Sequence, residues 1–243
     1  MIPKEMIERL RQLKEKVPLG ARYTWKLPNK PPPGLIIPQD HRTPYEQNLF
    51  LKVNLRRYLE RELEQDKSLE VHYWVIRDWG RIRRFGKTVE GRDASNNKER
   101  IEEFKKELDA GTLKRASFQV LPSLSKILSF WDPKQYAIYD SRAVFSLNWL
   151  LFLHWGDEPL FPQPVSRNKA IKNCDTSALY SEKLPPRGKQ HAYHDYCRLL
   201  RLLSKEIYDN CRPFNLEMLL FVIADQEIIK DIERFRSRGN KIF

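Results

Sequence analysis

A chain of 243 residues with 41% hydrophobic side chains carries enough apolar material for one domain or two closely packed lobes, which excludes a disordered or fibrous protein. Lys and Arg total 44 against 32 Asp and Glu, a net charge of +12 that favours a polyanionic partner, nucleic acid ahead of an acidic membrane surface. Cys174, Cys197 and Cys211 are odd in number and lack paired ligand spacing, so neither a disulfide framework nor a four-cysteine iron–sulfur cluster is expected.

The opening MIPKEMIERLRQLKEK is amphipathic and charged, unlike a signal sequence, which fits a soluble, unsecreted protein in a reduced, cytoplasmic setting. Met6, Leu10, Leu13 and Val17 recur at helical spacing until Pro18, and the stretch LPNKPPPGLIIP then runs as a stiff extended arm to about residue 40. Thr43 as N-cap and Pro44 at the first helical position open a long amphipathic helix whose stripe is Leu51, Leu55, Leu59 and Leu63. The segment VHYWVIRDWGRIRRFG is dense in β-branched and aromatic residues, with Gly80 as its break, and predicts two short antiparallel strands. Helical pattern resumes near Ser95 and stops at Gly111, a C-terminal cap.

Beyond Gly111 the chain reads as helical except for a long basic loop between about 156 and 188, which carries Arg167, Lys169, Lys172, Lys183 and Arg187, with Lys189 just beyond, and either closes over a partner or is mobile. His191, Tyr193, His194 and Tyr196 open the next helix, and histidine pairs alone do not make a metal site. FNLEMLLFVIADQEIIKDIERF closes the chain as a mostly buried, chiefly structural helix, with Asn215 as N-cap and Leu216, Leu219, Leu220 and Ile223 in the core. The apolar run around 144–155 is too short and interrupted to span a bilayer. The expected architecture is mainly α and two-lobed, with a small antiparallel β element in the N-terminal half. Residues 1–110 form an N-terminal lobe of Pro-rich arm, long helix and β element, and 111–243 form a helical lobe.

The most informative stretch is ASFQVLPSLSKILSFWDPKQYAIYDSRAVFSLNWLL, in which a buried-looking helix reaches Phe130, a loop follows, and Ala137, Ile138 and Tyr139 deliver Asp140 to a helix start. This layout resembles the core of the helix-hairpin-helix DNA glycosylases, in their oxoguanine-glycosylase-like branch. The resemblance is most specific over about residues 112–155 and extends more weakly into the C-terminal helices. It implies that Asp140 is the catalytic residue, that Ser125 to Ser129 lie on the second hairpin helix, and that the hairpin falls near Ala116 to Val120, leaving Leu121 and Pro122 outside it. The family hairpin is glycine-rich and grips a phosphate with backbone N–H groups, whereas Ala116, Ser117, Phe118, Gln119 and Val120 include no glycine. Lys114, Arg115 and Ser117 beside that turn are the side-chain substitutes for phosphate contact.

In bifunctional relatives a lysine nucleophile precedes the aspartate at a position that falls near Leu121, so lyase chemistry is not expected. Lys126 is read as a phosphate contact or a solvated charge. Without a lysine nucleophile, Asp140 stabilises the cationic charge that develops on the sugar and orients or deprotonates the attacking water, and it also fits as the N-cap of the next helix. Arg142 clamps a backbone phosphate or pairs with an acidic neighbour. Arg81, Arg83 and Arg84 track the DNA backbone or form a charged edge strand. Tyr45, Asn48, Arg77, Asp78 and Trp79, with Tyr73 and Trp74, are candidates for a pocket that stacks and reads an extruded base, and a core-facing role is open for each aromatic.

Within the family the chain is most similar to the bacterial anti-phage glycosylases, and that likeness implies excision of glucosylated hydroxymethylcytosine from double-stranded phage DNA, leaving abasic sites. The enzyme would act as a monomer without cofactor or metal. Two alternatives stay open: a repair glycosylase for oxidised or alkylated bases, and a DNA-binding module that does no chemistry.

Overall fold

The computed structural model describes residues 1–38, 40, 42–64, 68–82, 94–174, 176, 180 and 185–238, and among them every regular element is a helix. Helix α1 (Lys4–Lys16) buries Met6, Leu10 and Leu13, with Val17 at its C-cap, as the helical stripe requires. The single turn α2 (Leu19–Arg22) leads into the extended arm. Thr43 caps α3 (Pro44–Asn54) through a full capping box: its hydroxyl accepts from the Glu46 N–H while the Glu46 carboxylate accepts from the Thr43 N–H. The expected long helix is broken at Leu55, after which α4 (Arg56–Glu64) resumes; Leu51, Leu55 and Leu59 remain fully buried across the joint.

The predicted strands at 71–82 are not formed. Helix α5 (Glu70–Tyr73) runs straight into a π-helical turn, Trp74–Trp79. The physical reason is visible in which residues are buried: Val71, Val75 and Trp79 are four apart, as are His72 and Ile76, so one helical face is covered in full. The Glu62 carboxylate fixes the start of α5, accepting from the Val71 N–H at 2.8 Å and the His72 N–H at 3.2 Å. Arg83 and Arg84 lie outside the described residues.

Helix α6 (Ala94–Asp109) stops where the sequence predicts: Gly111 takes a φ of +76° while its N–H bonds Leu108 O and the Thr112 N–H bonds Glu107 O, a Schellman ending. Two helices follow almost without a joint, α7 (Arg115–Gln119) and α8 (Leu121–Trp131). The segment expected to be the hairpin is therefore itself helical, and the turn is Val120, next to the Leu121–Pro122 pair that opens α8.

Helix α9 (Ser141–His154) is apolar on nearly every side, with Ala143, Val144, Phe145, Leu147, Trp149, Leu150 and Leu151 all buried, and such a helix belongs at the centre of a core. The segment expected to be a long loop contains a short helix, α10 (Lys169–Asn173); α1, α12 (Pro213–Ile223) and the π-helical turn Ala224–Ile228, which continues into α13 (Ile229–Ser237), pack on α9, and α11 (Lys189–Tyr208) packs on α1 and α12. The Ser146 hydroxyl donates to Leu220 O at 2.7 Å, tying α9 to α12. Arg212, rather than Asn215, is the N-cap of α12, because Pro213 at the first helical position moves the start upstream. Residues of both halves join a single hydrophobic cluster, from Met6 to Ile232. No helix among the described residues is long and apolar enough to cross a membrane.

Candidate active site

Asp140 sits at the head of α9 in extended conformation, and its Oδ1 accepts from the Arg142 N–H at 2.8 Å. The strand-like approach to it is held by side chains from two helices. Tyr193 and Tyr196 on α11 donate their hydroxyls to Ala137 O at 2.9 Å and Ile138 O at 3.0 Å, and the Ser125 hydroxyl of α8 accepts from the Tyr139 N–H at 3.0 Å. The Tyr139 hydroxyl in turn donates to Pro162 O at 2.8 Å. Tyr139, Tyr193 and Tyr196 are fully buried, and burial pushes all three phenols up from their ordinary range. The tyrosines of α11 thus serve the site by holding backbone.

Asp140 opens into a cavity of about 310 Å³. Tyr23, Trp25, Trp79 and Phe221 supply aromatic walls, with Trp25 edge-on to Phe221 at 5.6 Å and to Trp79 at 6.0 Å. Arg81, Arg142 and Arg167 bring positive charge to the same cavity. Arg81 lies over Trp25 at 4.4 Å and Arg142 over Phe221 at 4.7 Å, while the Arg142 guanidinium also pairs with Asp225 at 3.4 Å. Arg81 adopts a φ of +53°, a left-handed conformation that a non-glycine residue holds only at a cost. Its carbonyl accepts from Arg167 at 3.2 Å, which links the end of the first π turn to the basic loop. That loop, at Pro164 to Asn168, forms one wall of the cavity.

Gly80 explains the cavity's shape on that side. A Cβ there would stand 2.7 Å from both Ile76 O and the Lys126 Cδ, so only glycine lets the turn approach α8 this closely.

Besides Tyr23, a lysine and a glutamate of the cavity are buried. Lys126 is 6% exposed, donates to Pro122 O, and has its pKa lowered by burial, against which the Asp140 and Glu217 carboxylates act. It is not a freely solvated charge, because the α8 face that carries it is packed into the protein and meets only the cavity. Glu217 on α12 is 4% exposed and its Oε2 has no hydrogen-bond partner. Burial pushes its carboxyl up to about 7, with Asp140 adding to the rise and Lys52 opposing it. Behind the cavity, buried Lys52 donates to the Ser129 hydroxyl at 2.8 Å, lies over Phe130 at 4.4 Å, and is lowered to about 8 by burial.

The cavity brings together Asp140, Lys126, Arg142, Arg81, Trp79 and, from the basic loop, Arg167 from among the residues that the sequence singles out. It leaves out the others that are described. Asn48 is fully buried and fully bonded, with Nδ2 donating to Trp25 O and Pro44 O and Oδ1 accepting from the Trp79 indole, so it braces the wall from behind. Tyr45 packs edge-on against Tyr23, Arg77 lies over Tyr73, and Asp78 is exposed; none lines the cavity, because a helix turns their faces away from it. Lys114 is the N-cap of α7, and Arg115 and Ser117 lie on that helix; none of the three lines the cavity, and Lys114 is engaged by Glu103 and by Glu107 at 3.8 Å. Tyr23, Trp25, Glu217 and Phe221 line the cavity without having been singled out. The i, i+4 spacing of Glu217 and Phe221 on an otherwise apolar helix is the signal that points to them.

No protein-family model, curated protein or solved structure matches this chain.

Proposed function

We propose that the protein is a DNA glycosylase that takes one modified nucleotide out of a duplex into this cavity and cleaves its base–sugar bond at Asp140. The observation that carries the reading is the composition of the cavity: a carboxylate at a helix head, aromatic walls of the size that stacks a base, and three arginines. A carboxylate beside the anomeric carbon stabilises the positive charge that grows there as the base departs, and accepts a proton from the incoming water. The order of α7, α8, a loop, an apolar approach, aspartate and α9 supports a helix-hairpin-helix-like arrangement in which side chains replace the glycine-rich phosphate grip.

The finer reading is a cytoplasmic monomer that acts on glucosylated hydroxymethylcytosine in phage DNA as an antiviral defence. The cavity's polar groups, including the hydroxyls of Ser141 and Ser166, are suited to sugar hydroxyls. The test is base release, followed by mass spectrometry, from duplexes that carry this base, 8-oxoguanine, an alkylated base or no modification. Release of the modified cytosine by wild type and its loss in Asp140→Asn is the expected result. Release of oxidised or alkylated bases alone assigns a repair enzyme. Tight binding with no release from any duplex defeats the enzymatic reading in favour of a binding module.

One observation favours a second reading. Lys126 shares the cavity with Asp140 and has a lowered pKa, as an amine nucleophile requires. Attack by its Nζ on C1′ expels the base with its electron pair, and loss of the N–H proton with opening of the C1′–O4′ bond gives a Schiff base and a free 4′-hydroxyl; borohydride traps the imine as a covalent protein–DNA adduct. An adduct that is absent from Lys126→Met establishes this route, and base release without any adduct leaves hydrolysis by water.

A further inference from the structure

Two carboxyl groups line the cavity, and their surroundings differ. Asp140 is half-exposed and bonded to the Arg142 N–H, whereas Glu217 is buried with its Oε2 unpartnered. Glu217 is not simply the hydrogen-bond partner of Lys52, whose amine is taken up by Ser129 and the Phe130 ring. The charged and titratable groups that act on Glu217 or feel it are Lys52 from α3, Lys126 from α8, Asp140 from the head of α9, Tyr23 after α2 and Tyr196 from α11. Paired carboxyls in such contrasting environments are how one site holds an acid and a base together at neutral pH.

On the glycosylase reading above, we propose that Glu217 is the proton donor of this site, delivering its carboxyl proton to the leaving base while the Asp140 carboxylate holds the cationic sugar. The bond between C1′ and the base nitrogen breaks with its electron pair going to the base, and the Glu217 proton is transferred to a basic atom of that base. Water adds to C1′ and gives a proton to Asp140. Asp140 then releases that proton to solvent and Glu217 takes one up, which restores the site. The products are the free base and an abasic sugar with a hydroxyl at C1′. The proposal selects a substrate class: bases that leave poorly as anions and present an acceptor atom toward α12.

The experiment is a single-turnover pH–rate profile of base release, on whichever modified duplex the wild type processes. The wild-type rate falls as pH rises through about 7, where Glu217 loses its proton. Glu217→Gln lowers the rate roughly 10²-fold and removes that descending limb. The loss is smaller for a duplex whose target base is ring-alkylated and already cationic, because such a base departs neutral without a proton. Lys52→Met, which removes a charge that holds the Glu217 pKa down, moves the descending limb to higher pH and keeps the test informative where Glu217→Gln does not fold. A wild-type profile that is flat across pH 7, a limb that Lys52→Met does not move, or a folded Glu217→Gln that matches the wild-type rate overturns the proposal and leaves the glycosylase reading standing. Absence of release by the wild type from every modified duplex overturns both.

Discussion

Two regions of the chain concentrate ionisable side chains, and they use them in opposite ways. At the head of α7, Lys114 stands exposed and engaged by Glu103 and Glu107 from the neighbouring α6, so its charge is largely spent within the protein surface. Around the cavity, Lys126 and Glu217 are buried, which disfavours their charged forms, and Arg81 and Arg142 lie over aromatic rings, so ionisable groups are held in fixed places. The difference teaches that a run of cations close to a motif is weaker evidence for a site than an ionisable group kept out of water without a full set of partners.

Four outcomes break or sharpen that contrast. The largest belongs to Asp140→Asn, which caps α9 as well as aspartate does and so keeps the fold, while base release falls on the order of 10³-fold. A thermal melt superimposable on wild type together with unchanged release would remove Asp140 from the chemistry. Gly80→Ala comes next: its Cβ meets Ile76 O and Lys126, so chemical denaturation is expected to show a loss of about 1–3 kcal/mol, with activity reduced by the displaced lysine. Unaltered stability in that variant would mean that the turn is not pinned against α8.

Tyr196→Phe removes one hydroxyl from the Asp140 approach. A loss of about 1 kcal/mol in the same denaturation assay is expected, since Ile138 O then lacks its partner. Smallest is Lys114→Ala, whose effect on duplex affinity at moderate salt is expected to stay within about twofold, because the lysine is already engaged by acidic neighbours. A tenfold loss there would return α7 to the DNA-binding surface and undo the contrast.

Much of the fold was legible where the deciding interaction is local. Met6, Leu10 and Leu13 on α1, the Thr43–Glu46 capping box and the left-handed Gly111 are each fixed by residues within a turn of one another. The helix over 70–79 was misread because the β-branched and aromatic content of VHYWVIRDW outweighed the four-residue recurrence of Val71, Val75 and Trp79. Asp140 was legible because a helix start after an apolar approach is a sequential pattern. Tyr23 and Trp25 were not, nor were Glu217 and Phe221, since the two pairs come from opposite ends of the chain and meet only when α12 packs beside α2. Asn48 shows the converse: an amide that reads as a base contact is consumed by Trp25, Pro44 and Trp79.

The tyrosines that hold the Asp140 approach also give the molecule an optical reporter of its own unfolding. Tyr139, Tyr193 and Tyr196 keep their protons in the folded state far above the ordinary phenol pKa of 10.0, whereas the unfolded chain gives them up near it. Folding therefore loses support as pH climbs past that value. In an alkaline titration the tyrosinate absorbance should rise in two stages, first from the more exposed rings and then, together with the loss of helix, from those buried beneath the Asp140 approach.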